Sequence, residues 1–207
     1  MKSKPDTITT LEQLYAHYGD PVPAALIKEL PSVSEHYRQF IQASPFVILA
    51  TSGPDGLDCS PRGDPAGFVR VVDEHTLMIP DRRGNNRVDS LRNIVGNPQV
   101  ALLFLIPGIG EAMRVNGRAQ LSVNQDLCQS FAMGDKVARS VIVITVEAIY
   151  PQCQKALVRS ELWDASTQIP RTALPTVGEM MTTITQGAFD GNAYDEAYPE
   201  RLRQTIY

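Results

Sequence analysis

Between positions 79 and 93 the chain reads Ile-Pro-Asp-Arg-Arg-Gly-Asn-Asn-Arg-Val-Asp-Ser-Leu-Arg-Asn, a cation-rich polar loop leading from an apolar strand into a helical pattern. Asn86 is a good N-cap residue, Asp89 then falls at the third helical position, and Val88, Leu91 and Val95 form an apolar stripe that Gly96-Asn97-Pro98 brings to an end. This spacing sets the free backbone N–H groups of a helix start beside Arg82, Arg83 and Arg87 and the amides of Asn85 and Asn86. N–H groups, helix dipole and forked guanidiniums all favour a phosphate, which carries about −1.5 to −2 charges at neutral pH. The same residues also fit an ordinary capped turn with a solvated cationic face, and spacing alone does not choose between the two. No Gly-Lys-Ser/Thr follows Gly84, which disfavours a nucleoside triphosphate loop.

A second constellation runs Cys-Gln-Lys-Ala-Leu-Val-Arg-Ser-Glu-Leu-Trp-Asp from position 153. As a helix it puts Lys155 and Arg159 on one face at i and i+4, where like charges cost a few tenths of a kcal/mol unless an anion or acid neutralises them. Glu161 and Asp164 are the acids at hand, and a surface ion pair is the simpler expectation. Trp163, the only tryptophan, reads first as core and second as a platform for a flat ligand. Cys153 reads as a small buried hydrophobe, since no histidine is near in sequence. His17, His36 and His75 fall in a helix, a helix and a turn with no partner at ligand spacing, so no metal site is expected. No Gly-x-Ser-x-Gly elbow occurs.

At 207 residues the chain has the length of one domain with extensions, and its 43% hydrophobic and 20% charged content is that of a globular protein, not a disordered, collagen-like or coiled-coil one. A formal charge of −4 leaves no global field for nucleic acid or anionic lipid, so a bound phosphate must meet local arginines. Three cysteines, Cys59, Cys128 and Cys153, fit neither a disulfide framework nor a zinc pattern and imply a reducing compartment. The opening residues lack an apolar segment of signal-peptide length, and the longest uncharged run, 93–110, is broken by Pro98 and Pro107. These features together predict a soluble cytoplasmic protein without a membrane span.

The elements that must hold the arginine loop follow from periodicity. Leu11, Leu14, Tyr15 and Tyr18 share a helical stripe, further helices are expected over 25–30 and 34–43, and prolines at 21, 23, 31 and 45 separate them. From Phe46 the pattern is β: strands over 46–51 and 57–62 flank the turn Ser-Gly-Pro-Asp-Gly, and 68–72 and 76–80 form a second pair. Strands over 99–106, 111–123 and 140–150 complete the set, the middle one by strict alternation from Met113 to Val123. Many strands, few helices and short connections predict a mainly β protein, an antiparallel barrel with peripheral helices. The expected division is a helical extension 1–44, a barrel 45–164 and a peripheral tail 165–207 with a helix over 177–189.

The residues from 45 to 122 resemble the split-barrel flavoproteins of the pyridoxamine 5′-phosphate oxidase-like superfamily, and more closely its bacterial branch of probable FMN-dependent enzymes. The likeness rests on Pro-Phe-Val-Ile-Leu-Ala-Thr at 45–51, Ser-Pro-Arg-Gly-Asp at 60–64, Leu-Met-Ile-Pro-Asp at 77–81, Gly-Asn-Asn-Arg at 84–87 with Asn97-Pro98 behind it, and Arg-Val-Asn-Gly at 114–117. The Cys-x-Lys-Ala to Leu-Trp stretch after the last strand resembles the same branch. What the resemblance implies is a split β-barrel homodimer with FMN at the subunit interface and a small-molecule substrate. Arg62, Ile79, Pro80, Asp81, Asn85, Asn86 and Arg87 then hold the phosphate and one flavin edge, and Arg114 reaches the cofactor near the dimer axis. Ala112 stands where some members carry a glutamine for that last contact. Lys155, Arg159 and Trp163 are implied as substrate-side or supporting residues. The activity implied is hydride transfer through FMN, with no catalytic side chain named. The Trp-Gly-Gly-Tyr-Arg-like end of genuine pyridoxamine 5′-phosphate oxidase is missing after Trp163, which argues against pyridoxine phosphate as substrate. The alternatives are a non-catalytic split barrel that stores or senses flavin or haem, and an interaction module with an empty cleft. Haem would require His17 or His75 as axial ligand.

Overall fold

The computed structural model describes residues 7–207, so the lysine-bearing run 1–6 falls outside the described residues. Helix α1 (Leu11–Tyr18) starts on a capping box between Thr10 and Gln13, α2 (Pro23–Ile27) opens on a proline, and α3 (Glu35–Ala43) is capped by Ser34. Only α3 turns a residue into the core, Ile41, with Tyr37 and Phe40 packed half-buried beside it. The stripe expected on α1 buries no residue among the described residues: Leu11, Tyr15 and Tyr18 are exposed and Leu14 is half-buried. Helical spacing creates an apolar face without saying what meets it.

The rest of the chain runs β1 (Phe46–Gly53), β2 (Gly56–Gly63), β3 (Arg70–Val71), β4 (Thr76–Asp81), α4 (Asp89–Gly96), β5 (Gln99–Leu105), β6 (Ala112–Ser122), α5 (Gln125–Ser130), β7 (Ser140–Gln152), α6 (Lys155–Arg159), α7 (Val177–Ile184) and α8 (Gly191–Thr205). The strands form one antiparallel sheet in the order β2-β1-β5-β6-β7-β4-β3. Its ends, β2 and β3, are not joined, so the sheet curls without closing, as a split barrel does. Period-two alternation sends Val47, Leu49, Leu102, Phe104, Val115, Ile142 and Ile144 into the core, each burial contributing about 1.5–3 kcal/mol. A bulge at Asn116/Gly117 bends the long β6–β7 pair.

Two devices place the elements around the arginine loop. Past Met78 the partner strand β3 has ended, so one edge of β4 is unpaired over its last three residues, Ile79, Pro80 and Asp81. Helix α4 then seats on β1 through Gly53, where an added Cβ would lie 2.2 Å from Asn93 Oδ1. Buried Asn93 donates from Nδ2 to Thr51 Oγ1 at 3.1 Å and to Gly56 O at 3.3 Å.

The tail is more ordered than expected. The helix predicted over 177–189 stops at Ile184, and a longer one, α8, follows with Pro199 inside it. Proline at that position reads as a breaker in the sequence, but α8 tolerates it and packs on α7 where Gly178 and Gly191 meet; a Cβ on either would come within 2.3 Å of the other's carbonyl oxygen. No helix among the described residues is long and apolar enough to cross a membrane.

Candidate functional site

A cavity of about 240 Å³ opens where β2, the end of β4 and the start of α4 converge. Ser60, Pro61 and Arg62 come from β2, Asp81 from β4, and Arg82, Gly84, Asn85, Asn86, Arg87 and Val88 from the loop, followed by Asp89, Ser90 and Leu91. Arg139, just before β7, completes the wall. Five of the expected residues, Arg62, Asp81, Asn85, Asn86 and Arg87, therefore share one cavity. Pro80 lines an adjoining cavity of about 380 Å³ with Arg62, while Ile79 is wholly buried and its backbone groups are directed at β7.

The helix start differs from the expectation. Asn86 is not the N-cap: α4 begins at Asp89, and the cap position is held by Val88 in the left-handed region (φ 52°) with no side-chain cap bond. Asp89 is thus the first helical residue, and Val88 and Val95 are exposed instead of forming a buried stripe. The helix buries Ser90, Asn93 and Ile94 in their place, because polar Ser90 and Asn93 have bonding partners beneath them. Asn86 is also left-handed (φ 60°). Asparagine tolerates that conformation, but a β-branched valine there is strained by about 1–3 kcal/mol, and strain of this kind collects at functional loops.

The arginines are also less free than their spacing suggests. Arg62 donates from Nη1 to Asp81 Oδ1 at 2.9 Å and from Nη2 to Ser90 Oγ at 3.2 Å, while its Nε is buried without a partner. Ser90 donates onward to Asp58 at 2.6 Å, which Ser60 also approaches at 2.9 Å. Arg82 donates from Nε to the buried Asp64 at 2.8 Å and from Nη1 to Phe131 O at 2.6 Å. Arg87 is 77% exposed and paired with Asp89, whose hydrogen bond raises an already protonated guanidinium further. Arg62, Arg82, Arg87 and Arg139 converge on the cavity wall; the first three are each paired with an aspartate (81, 64 and 89), and Arg139 meets, among the described residues, only the Asn86 amide oxygen. The exposed guanidiniums of Arg87 and Arg139 and the amides of Asn85 and Asn86 are donors of the kind that bind phosphate, so the donor set fits the phosphate end of a nucleotide cofactor.

Residues 33–153 match the family model described as pyridoxamine 5′-phosphate oxidase. The chain belongs to that family. A comparison with curated proteins finds no match. Among solved structures this family member is similar to HupZ of Group A Streptococcus (18% identity, 58% of this chain and 94% of that one, TM-score 0.49). It is also similar to a protein related to general stress protein 26, of the pyridoxinephosphate oxidase family, from Clostridium acetobutylicum (12%, 57% and 86%, 0.44). An FMN-binding protein from Syntrophomonas wolfei is a third (10%, 68% and 95%, 0.42).

The remaining expected residues of this family member stand apart from the cavity. Register places Pro61, Ile48, Leu103, Arg114 and Tyr150 in one row across β2, β1, β5, β6 and β7. Arg114 is therefore three strands from β2, about 14 Å along the sheet, and on the opposite face from Arg62. Its Nη1 donates to Tyr150 Oη at 3.2 Å. Lys155 and Arg159 are exposed on α6, and neither pairs with Glu161 or Asp164, contrary to the expectation. Trp163 is not core: it is 36% exposed, its Nε1 donating to Ile109 O at 2.8 Å in the loop before β6. Cys153 is exposed and Cys128 is the buried thiol. His17, His36 and His75 are exposed and line no part of the cavity.

Arg139, Ser90, Asp58 and Asp64 were not found from sequence. Arg139 reaches the cavity only because β4 pairs with β7, bringing Asp81 opposite Ser140. No local pattern announces a pairing across nearly sixty positions. Ser90 lies inside the segment already singled out, and its small polar side chain on a helix face that must be buried was the available signal.

Proposed function

We propose that the protein binds FMN, with the phosphate in the cavity between β2, the 82–88 loop and α4, and acts as an FMN-dependent oxidoreductase on a small molecule. The observation that carries this reading is the convergence of four arginines and the Asn85 and Asn86 amides on that cavity. Arg87 and Arg139 with the amides of Asn85 and Asn86 are exposed and free to turn onto a phosphate. Arg62 and Arg82, held by Asp81 and Asp64, are fixed donors in the wall behind it. At the unpaired edge of β4 Pro80 offers its carbonyl oxygen, an acceptor, to the flavin rim. Bound there, FMN supplies the acceptance and return of a hydride, chemistry that requires no acid or base from the chain.

A single protomer supplies only part of such a site. Its cavity of about 240 Å³ suits the phosphate end alone, and the adjoining hollow of about 380 Å³ shares Arg62 and Arg82 with it. The sheet face bearing Arg114 carries half-buried Ile48, Ala50, Ala101, Leu103 and Leu105. We take this face as the contact of a homodimer, in which the partner's Arg114 completes the cleft and Lys155, Arg159 and Trp163 approach the substrate side. On this reading 45–164 is the cofactor-binding unit with extensions at 1–44 and 165–207, and the free thiols suit a cytoplasmic setting. The haem alternative lacks support, since none of the three histidines lines the cavity.

Two experiments test the reading. Flavin-loaded protein is mixed anaerobically with NADH or NADPH and then with a substrate panel; bleaching followed by reoxidation supports catalysis, and a flavin that stays oxidised with every donor leaves a carrier instead. Mixed dimers of Arg87→Ala with Arg114→Ala should regain one intact site in two. No recovery on mixing would contradict the shared cleft.

A further inference from the structure

We infer that Tyr207, beyond the end of α8, is a positioning residue of the phosphate site, acting through Asp64 on Arg82; the inference rests on the flavin reading above. The Asp64 carboxylate is 1% exposed and has a donor on each oxygen. Arg82 Nε reaches Oδ2 at 2.8 Å, and the Tyr207 hydroxyl, 143 positions away in the chain, reaches Oδ1 at 2.8 Å. The Arg82 guanidinium also lies 5.7 Å from the centre of the Tyr207 ring, and its Nη1 is fixed on Phe131 O. Arg82 is the residue from which the cavity loop departs, and its side chain forms part of the cavity wall. A carboxylate with both oxygens engaged has one orientation, so the phenol determines where the guanidinium stands.

Two observations tie the phenol to the site rather than to the tail. The α7–α8 pair is held internally, with Asp195 accepting from Gly178 N at 3.0 Å and from the Thr176 hydroxyl, so it does not need Tyr207 to stay together. Tyr207 also walls both hollows that flank Arg82, the adjoining cavity of about 380 Å³ and a cleft of about 470 Å³ bounded by Arg83, Lys136 and Arg139. Without the hydroxyl, Asp64 is free to rotate and grip Arg82 with both oxygens, withdrawing the guanidinium from the wall.

The test uses the full chain, freed of flavin, titrated with FMN and with riboflavin by fluorescence. Tyr207→Phe should weaken FMN by about fivefold to tenfold and leave riboflavin unchanged, because the lost contact serves the phosphate end. Its unfolding temperature should fall by only a few °C, the loss of a single hydrogen bond to a charged group. Asp64→Asn removes the carboxylate that the phenol orients, so adding Tyr207→Phe to Asp64→Asn should weaken FMN no further. Unchanged FMN affinity in Tyr207→Phe, equal weakening of both flavins, or a full further loss when Tyr207→Phe is added to Asp64→Asn overturns this inference alone. A wild-type protein that binds neither flavin overturns the flavin reading and this inference with it.

Discussion

Arg62→Ala separates what this residue does for the fold from what it does for a ligand. Arg62 and Asp81 are 22% and 13% exposed, and removing one partner of a largely buried pair costs about 3–5 kcal/mol because the other charge is left uncompensated. Partial exposure places this pair at the lower end, about 3 kcal/mol. Against that, the Arg62 Nε is already buried without a partner, and deleting it removes a penalty of about 1 kcal/mol. The lost pair wins, leaving a net destabilisation of about 2 kcal/mol and a fall of about 4–8 °C in unfolding temperature. Adding Asp81→Asn to Arg62→Ala removes the stranded charge and should recover more than half of the loss, while flavin binding stays impaired. Thermal unfolding of the wild type and both variants, without ligand, reads the result. If Arg62→Ala melts with the wild type, or if Asp81→Asn lowers stability further, the pair is not the buried electrostatic unit described.

Three further outcomes are expected. Arg87→Ala, at a side chain exposed to solvent, should leave unfolding unchanged and weaken FMN by about tenfold or more, read by fluorescence titration; unchanged affinity removes Arg87 from the phosphate contacts. Val88→Gly relieves the left-handed valine at an entropic cost of about 0.5–1 kcal/mol, so the flavin-free protein should gain up to about 1 kcal/mol, and a clear loss in urea unfolding would contradict the strain argument. The Tyr207 phenol is held above the ordinary tyrosine range, first by its hydrogen bond to Asp64. A raised folded value means its contribution is intact below about pH 10 and lost as pH rises beyond that, so Tyr207→Phe should lack part of the alkaline loss of stability that the wild type displays.

How much of this was legible in the sequence depended on range. Alternation from Met113 to Val123 and the apolar runs at 46–51 and 140–150 gave the strands, because inward and outward residues differ in kind along each one. The loop from Asp81 to Arg87 was legible as chemistry, since cations and amides accumulate there. The exact helix start was not: Asn86 is the better capping type, yet Ser90 must sit over Asp58 and Arg62, and that tertiary demand moves the first helical residue to Asp89. Pairing choices between arginines and aspartates were also hidden, because Asp64 and Asp81 meet Arg82 and Arg62 only after the sheet curls. Leu11, Tyr15 and Trp163 make a third case, in which apolar residues at helical spacing remain exposed on this chain.

The measurement closest to the central claim is an equilibrium titration of flavin-free protein with FMN, followed by fluorescence and by the mass of the complex. Saturation is expected at one FMN per protomer on a dimer, with a dissociation constant on the order of 1 μM or tighter. No quenching up to about 1 mM, a range where binding free energy is only about −4 kcal/mol, would contradict it.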